Sequence, residues 1–127
     1  MQLIAKHIKW LMMISGVLTC SMFYAAIAPQ AALLNTFGDS LSGPVAEIVV
    51  RNWGALIGLV GALLIYGAYV PAHRTLIVII ASLSKATFIA LVLTFGKQYL
   101  DKAGVAIGFD AMVVALFMVY LATLGRA

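Results

Sequence analysis

Apolar residues run along this chain in four long stretches, at 8–28, 45–70, 75–96 and 103–124, and polar residues gather in the short segments between them. Each stretch is close to the roughly 20 residues a helix needs to cross about 30 Å of hydrocarbon. None shows the strict alternation of a barrel strand, and in lipid only helices or closed barrels satisfy every backbone group. The pattern predicts an all-α polytopic membrane protein, an antiparallel four-helix transmembrane bundle forming a single domain over 1–127. The connections at 71–74 and 98–102 are too short for anything but antiparallel neighbours. The connection at 29–44 is longer. Leu33, Leu34, Phe37 and Leu41 alternate there with Gln30, Asn35, Asp39 and Ser40, and Gly38 and Gly43-Pro44 mark turns. A short helix lying at the membrane interface is expected there, with Pro44 in the first turn of span two, where its missing N–H costs nothing.

The first stretch resembles a secretory signal, with Lys6 to Lys9 ahead of an apolar run and Ala26-Ile27-Ala28 as a small-residue site. Pro29 would follow the cut, where it is poorly tolerated, and the run is long enough to span. It reads as a permanent anchor. Cys20 is the single cysteine, which rules out an intramolecular disulfide and makes it a small packing residue.

Composition agrees with this class. The chain is 65% hydrophobic and 9% charged, against about 25% charged in soluble domains. Its net charge of +4 does not point to nucleic acid, because the placement is topological. Lys6, Lys9, Arg74 and Arg126 fall on one side of an even-span bundle with no acidic residue among them. The other side mixes Lys97 and Lys102 with Asp39 and Asp101. The positive-inside bias places both termini in the cytoplasm.

Four charges lie inside the spans: Glu47, Arg51, Lys85 and Asp110. An isolated charge at a helix centre costs about 2.5–3.5 kcal/mol even on the lenient insertion scale. Two bases and two acids suggest a paired core. In span two, Glu47, Arg51, Gly54, Gly58 and Gly61 share one helical face. Glu47 and Arg51 are spaced to pair at i,i+4, and the glycines let a neighbouring backbone approach closely. Asn52 and Trp53 flank this face, Trp53 as a packing residue against a neighbouring helix. Arg51 and Asp110 each lie about seven residues into parallel spans, about 10 Å deep, so an Arg51–Asp110 pair is the expected cross-helix contact. Lys85 sits near the midplane of span three, with Ser82 on its stripe as a hydrogen-bond acceptor. Its stem is long enough to reach Asp110, but it is the least obviously satisfied charge.

Chemical motifs are sparse. The chain has no P-loop, no G-x-G-x-x-G, no paired cysteines and no H-E-x-x-H. His7 and His73 sit at the cytoplasmic edge, where interfacial solvation explains them better than ligation. No metal and no cofactor is expected. The basic N-terminus, Ala28-Pro29 closing span one, Phe37-Gly38, Arg51-Asn52-Trp53-Gly54, and Leu64-Ile65-Tyr66-Gly67 leading to Pro71 and Arg74 together resemble the small four-helix bacterial inner-membrane proteins grouped as DoxX-like. That resemblance implies a bacterial inner-membrane location and an accessory role, since some members resemble small subunits of quinone-linked oxidoreductases or assembly factors. It carries over no catalytic residue.

Three functions follow in order. The first is an accessory or assembly subunit for a membrane partner or homo-oligomer, with a structural charged core. The second is binding or transport of a small anion, proton or amphiphile at Glu47, Arg51, Lys85 and Asp110. The last is a membrane enzyme on a lipid-like or quinone substrate, with Asp110 or Glu47 as acid or base. It ranks last because every acid has an evident basic neighbour and acid–base work needs a tuned group within reach of substrate.

Overall fold

A computed structural model describes residues 2–125, and side chains over 6–124. It is 91% helical, with no strand among the described residues. The helices are α1 (Gln2–Cys20), α2 (Phe23–Ile27), α3 (Pro29–Phe37), α4 (Pro44–Tyr69), α5 (Pro71–Phe95) and α6 (Leu100–Gly125), with a 3₁₀ turn at Lys97–Tyr99 before α6. Four segments are long and apolar enough to cross a membrane: Lys6–Ile27, Pro44–Tyr69, Pro71–Phe95 and Lys97–Leu124. Large apolar side chains such as Val105, Ile27 and Leu83 point outward, a surface that water would not tolerate and lipid requires. This is a multi-pass helical membrane protein.

Prolines set most of the boundaries. A residue before proline is pushed out of the helical region. Ala28 (φ −129°, ψ 72°) and Val70 (φ −121°, ψ 88°) both obey, ending α2 and α4. Pro29, Pro44 and Pro71 then open α3, α4 and α5, where proline's fixed φ suits the first turn. The expected loop at 71–74 is therefore the first turn of α5, and Val70 alone separates the two spans. Arg74 turns back to donate from Nε to the Gly67 carbonyl at 3.0 Å and from Nη2 to Ala68 at 2.8 Å. It satisfies carbonyls that the end of α4 leaves orphaned. Arg126, part of the same basic group in the sequence, lies outside the described residues.

The first span is broken rather than continuous. Around Ser21 and Met22 the ladder tightens to i→i−3 bonds, Met22 to Thr19 at 3.1 Å and Tyr24 to Ser21 at 3.1 Å. The Ser21 hydroxyl bonds back to the Leu18 carbonyl. Such side-chain back-bonding competes with the α ladder and bends a helix. The connection beyond Ala28 contains the expected short helix, α3, closed by Gly38 in the left-handed region at φ 74°.

Two helix pairs make up the bundle. The glycine face of α4 receives the first span. A Cβ added at Gly61 would sit 2.3 Å from the Cys20 backbone nitrogen, at Gly58 2.6 Å from the Phe23 ring, and at Gly54 2.5 Å from Ala25. The two backbones touch there, as close packing in lipid demands. The second pair is α5 with α6, joined by the short turn at Lys97–Tyr99. At the end marked by Val70, all four spans merge into one core of Ile8, Met12, Leu64, Ala68, Ile77, Val78, Ala81, Val113, Phe117 and Tyr120. At the α3 end the buried cluster is Val92, Ala103 and Ile107, drawn from α5 and α6 alone. The pairs share one buried core at the Val70 end, and at the other end α3 and a cavity lie between them.

Candidate functional site

A cavity of ≈ 190 Å³ occupies the gap at the α3 end. The first span contributes Leu18, Thr19 and Met22, α4 contributes Trp53, Ile57 and Val60, α5 contributes Ser84, Lys85 and Phe88, and α6 contributes Ala106, Phe109 and Asp110. Thr36 of α3 reaches in from above. The neighbouring Phe37 ring lies 6.2 Å from Trp53, 6.2 Å from Phe88 and 5.6 Å from Tyr99, the last edge-on. These separations suit aromatic contacts. Trp53 and Phe88 line the cavity, and Phe37 ties them to α3 and to the Lys97–Tyr99 turn.

The floor is an ion pair. Lys85 is buried at 6% exposure, and its Nζ donates to Asp110 Oδ1 at 2.8 Å and to Thr19 Oγ1 at 3.1 Å. That distance is typical of a charge-assisted bond. Each partner comes from a different helix, so the ammonium links the first span, α5 and α6. The carboxylate is the more accessible member, with 19% of the Asp110 side chain exposed against 7% for Lys85. Three donors project from a lysine ammonium, and two are used. Ser82, one turn from Lys85, is buried, but its hydroxyl has no partner and it does not line the cavity. Its expected role as a hydrogen-bond acceptor is not realised.

The expected Arg51–Asp110 pair does not form. Arg51 is exposed and donates from Nη1 to the carbonyls of Ala26 and, at 3.4 Å, Ile27. It caps the end of the first span, where the break at Ala28 leaves the last carbonyls without intrahelical donors. Glu47 lies 4.0 Å from Arg51 in the i,i+4 arrangement, with both side chains nearly half exposed. Two facts explain the difference. The charged face of α4 is turned to the first span by its glycines, whereas α6 packs on α5, the first span and α3. Span four also starts at Lys97 rather than 103, which deepens Asp110. Lys85 stands ten residues before the end of α5 and Asp110 ten after the start of α6, each about 15 Å from that end. The two are level.

The candidate residues therefore separate. Lys85, Asp110 and Trp53 meet at the cavity, while Glu47, Arg51 and Asn52 remain exposed outside it. Gly54, Gly58 and Gly61 hold the first span against α4. Thr19 and the aromatic lining of Phe88 and Phe109 carry no motif. The one legible trace of Thr19 is its spacing from Ser15, four residues apart on one buried stripe. No group of three or more metal-ligating side chains occurs among the described residues. The chain matches no family model, no curated protein and no solved structure.

Proposed function

We propose that this protein binds a small amphiphile in the cavity at the α3 end, with Lys85 and Asp110 as the polar anchor and the aromatic walls as the apolar seat. One observation carries the reading: the buried ion pair borders an open, mostly apolar cavity instead of being packed shut. The buried core at the Val70 end joins all four spans through apolar side chains, so the bundle has no evident need for a buried lysine at this depth. Intramembrane charges are costly to keep, and those that face an interior space mark binding sites more often than scaffolding. Concave, mainly apolar pockets with a few convergent polar groups are the usual form of small-molecule sites.

Lys6, Lys9 and Arg74 gather at the Val70 end, which supports cytoplasmic termini. In a bacterial inner membrane, as the DoxX-like resemblance implies, the cavity would then lie in the outer half of the bilayer. An accessory-subunit role has no comparable support, since the outward apolar residues are what lipid alone requires. An enzyme reading has less, because Glu47 lies outside the cavity and Asp110 is held by Lys85. Native mass spectrometry of protein released from its own membranes tests the proposal. A bound adduct should be retained by the unaltered chain and lost from Ala106→Phe, which fills the cavity and leaves the ion pair in place. Equal retention by both proteins would contradict it.

A further inference from the structure

The charge and exposure of the cavity floor narrow the ligand further, to a class defined by its head group. Lys85 and Asp110 are the ionisable side chains lining the cavity, so the floor is neutral overall. An anion entering it meets the more exposed partner, the carboxylate, and is repelled. An organic cation would have to compete with Lys85, which already holds Oδ1 at 2.8 Å. A charged head of either sign would be left incompletely paired in a low-dielectric space, which is expensive. The vacant positions are instead complementary to each other: further acceptor positions on Asp110 and a third donor on Lys85. A hydroxyl can fill both at once, donating its proton to the carboxylate and accepting from the ammonium. The remaining lining is Trp53, Ile57, Val60, Phe88 and Phe109, a seat for a compact apolar body. At ≈ 190 Å³ the space exceeds the cavity of about 150 Å³ that takes up a benzene ring.

We infer that the site selects an uncharged, hydroxyl-bearing amphiphile with a ring-sized apolar body, its hydroxyl bridging Asp110 and Lys85. This inference rests on the proposed binding function and specifies its ligand class. Trp53 supplies the reporter, because the other tryptophan, Trp10, lies exposed in the opposite half of the bundle and can be replaced as Trp10→Phe. Quenching of Trp53 fluorescence by four bromo-aromatic probes of nearly one size, in lipid nanodiscs, separates the possibilities. They are para-bromophenol, which stays neutral at physiological pH as a tyrosine phenol does, para-bromobenzoate, para-bromobenzylammonium and bromobenzene. The same titration in Trp10→Phe/Ala106→Phe gives the unsaturable contribution of probe dissolved in lipid.

Above that background, the phenol should quench saturably and bind about tenfold or more tightly than each of the other three, the scale of a hydrogen bond to a charged group. A charged isostere that binds as tightly as the phenol would overturn the head-group assignment and leave the binding function standing. Equal binding of bromobenzene would do the same, reducing the site to an apolar hole. Saturation by none of the four would remove the inference and the binding function together.

Discussion

Removing the charge of Asp110 should expose how much of the bundle depends on the Lys85–Asp110 pair. In Asp110→Asn the Lys85 ammonium, 93% of whose side chain is shielded because 7% is exposed, keeps Thr19 and an amide but loses its countercharge. Breaking a buried pair in this way costs about 3–5 kcal/mol in soluble proteins. Intramembrane polar contacts measure less, with single hydrogen bonds up to about 1.7 kcal/mol. The open cavity beside Asp110 also softens the penalty, so a loss of about 2–3 kcal/mol is expected, and a similar one for Lys85→Met. The double variant Lys85→Met/Asp110→Asn removes both charges and should lose less than the sum of the two singles, by at least about 1 kcal/mol. Reversible unfolding in mixed detergent micelles, followed by far-ultraviolet circular dichroism, provides the numbers. Arg51→Gln combined with Asp110→Asn is the internal control and should be additive within about 0.5 kcal/mol, because Arg51 bonds to Ala26 and Ile27. Additivity in the Lys85/Asp110 cycle would refute the reasoning.

Two further outcomes follow from the packing and the charge layout. Gly61→Ala should destabilise by about 1–3 kcal/mol through overpacking against the Cys20 backbone, whereas Gly104→Ala, with nothing near its added Cβ, should be neutral or slightly stabilising; the same unfolding assay compares them. In a Cys20→Ala background, a membrane-impermeant maleimide applied to intact cells should label Ser40→Cys and spare His73→Cys, and the reverse pattern would invert the proposed orientation.

The hydrophobic pattern was enough to count the spans and make them helices, though not to fix where each begins, because length and lack of alternation are properties of each segment alone. The short helix after Pro29 and the packing role of the α4 glycines were legible for the same reason: each depends on local turn chemistry or one helical face. Pairing across helices was not. Matching Arg51 with Asp110 required the start of span four, and the 3₁₀ turn at Lys97–Tyr99 continues the helical path through what reads as a loop. It also required knowing which neighbour the glycine face would select, and Gly16 in the first span, whose carbonyl meets Gly61, gives no signal in isolation. Lys85 was recognisable as the charge lacking an obvious partner. Thr19, its second acceptor, was not, since a threonine in an apolar helix usually bonds to its own backbone.

Photolabelling is the most direct test of the claim that the cavity at the α3 end is a binding site. A diazirine-bearing amphiphilic alcohol, incorporated into nanodiscs at low mole fraction and activated by light, would mark the surfaces it contacts. Peptide mapping should find saturable labelling concentrated at Trp53, Phe88 and Phe109, abolished by Ala106→Phe and displaced by excess unlabelled alcohol. Labelling spread over outward residues such as Ile27, Leu83 and Val105, and indifferent to either treatment, would contradict the account.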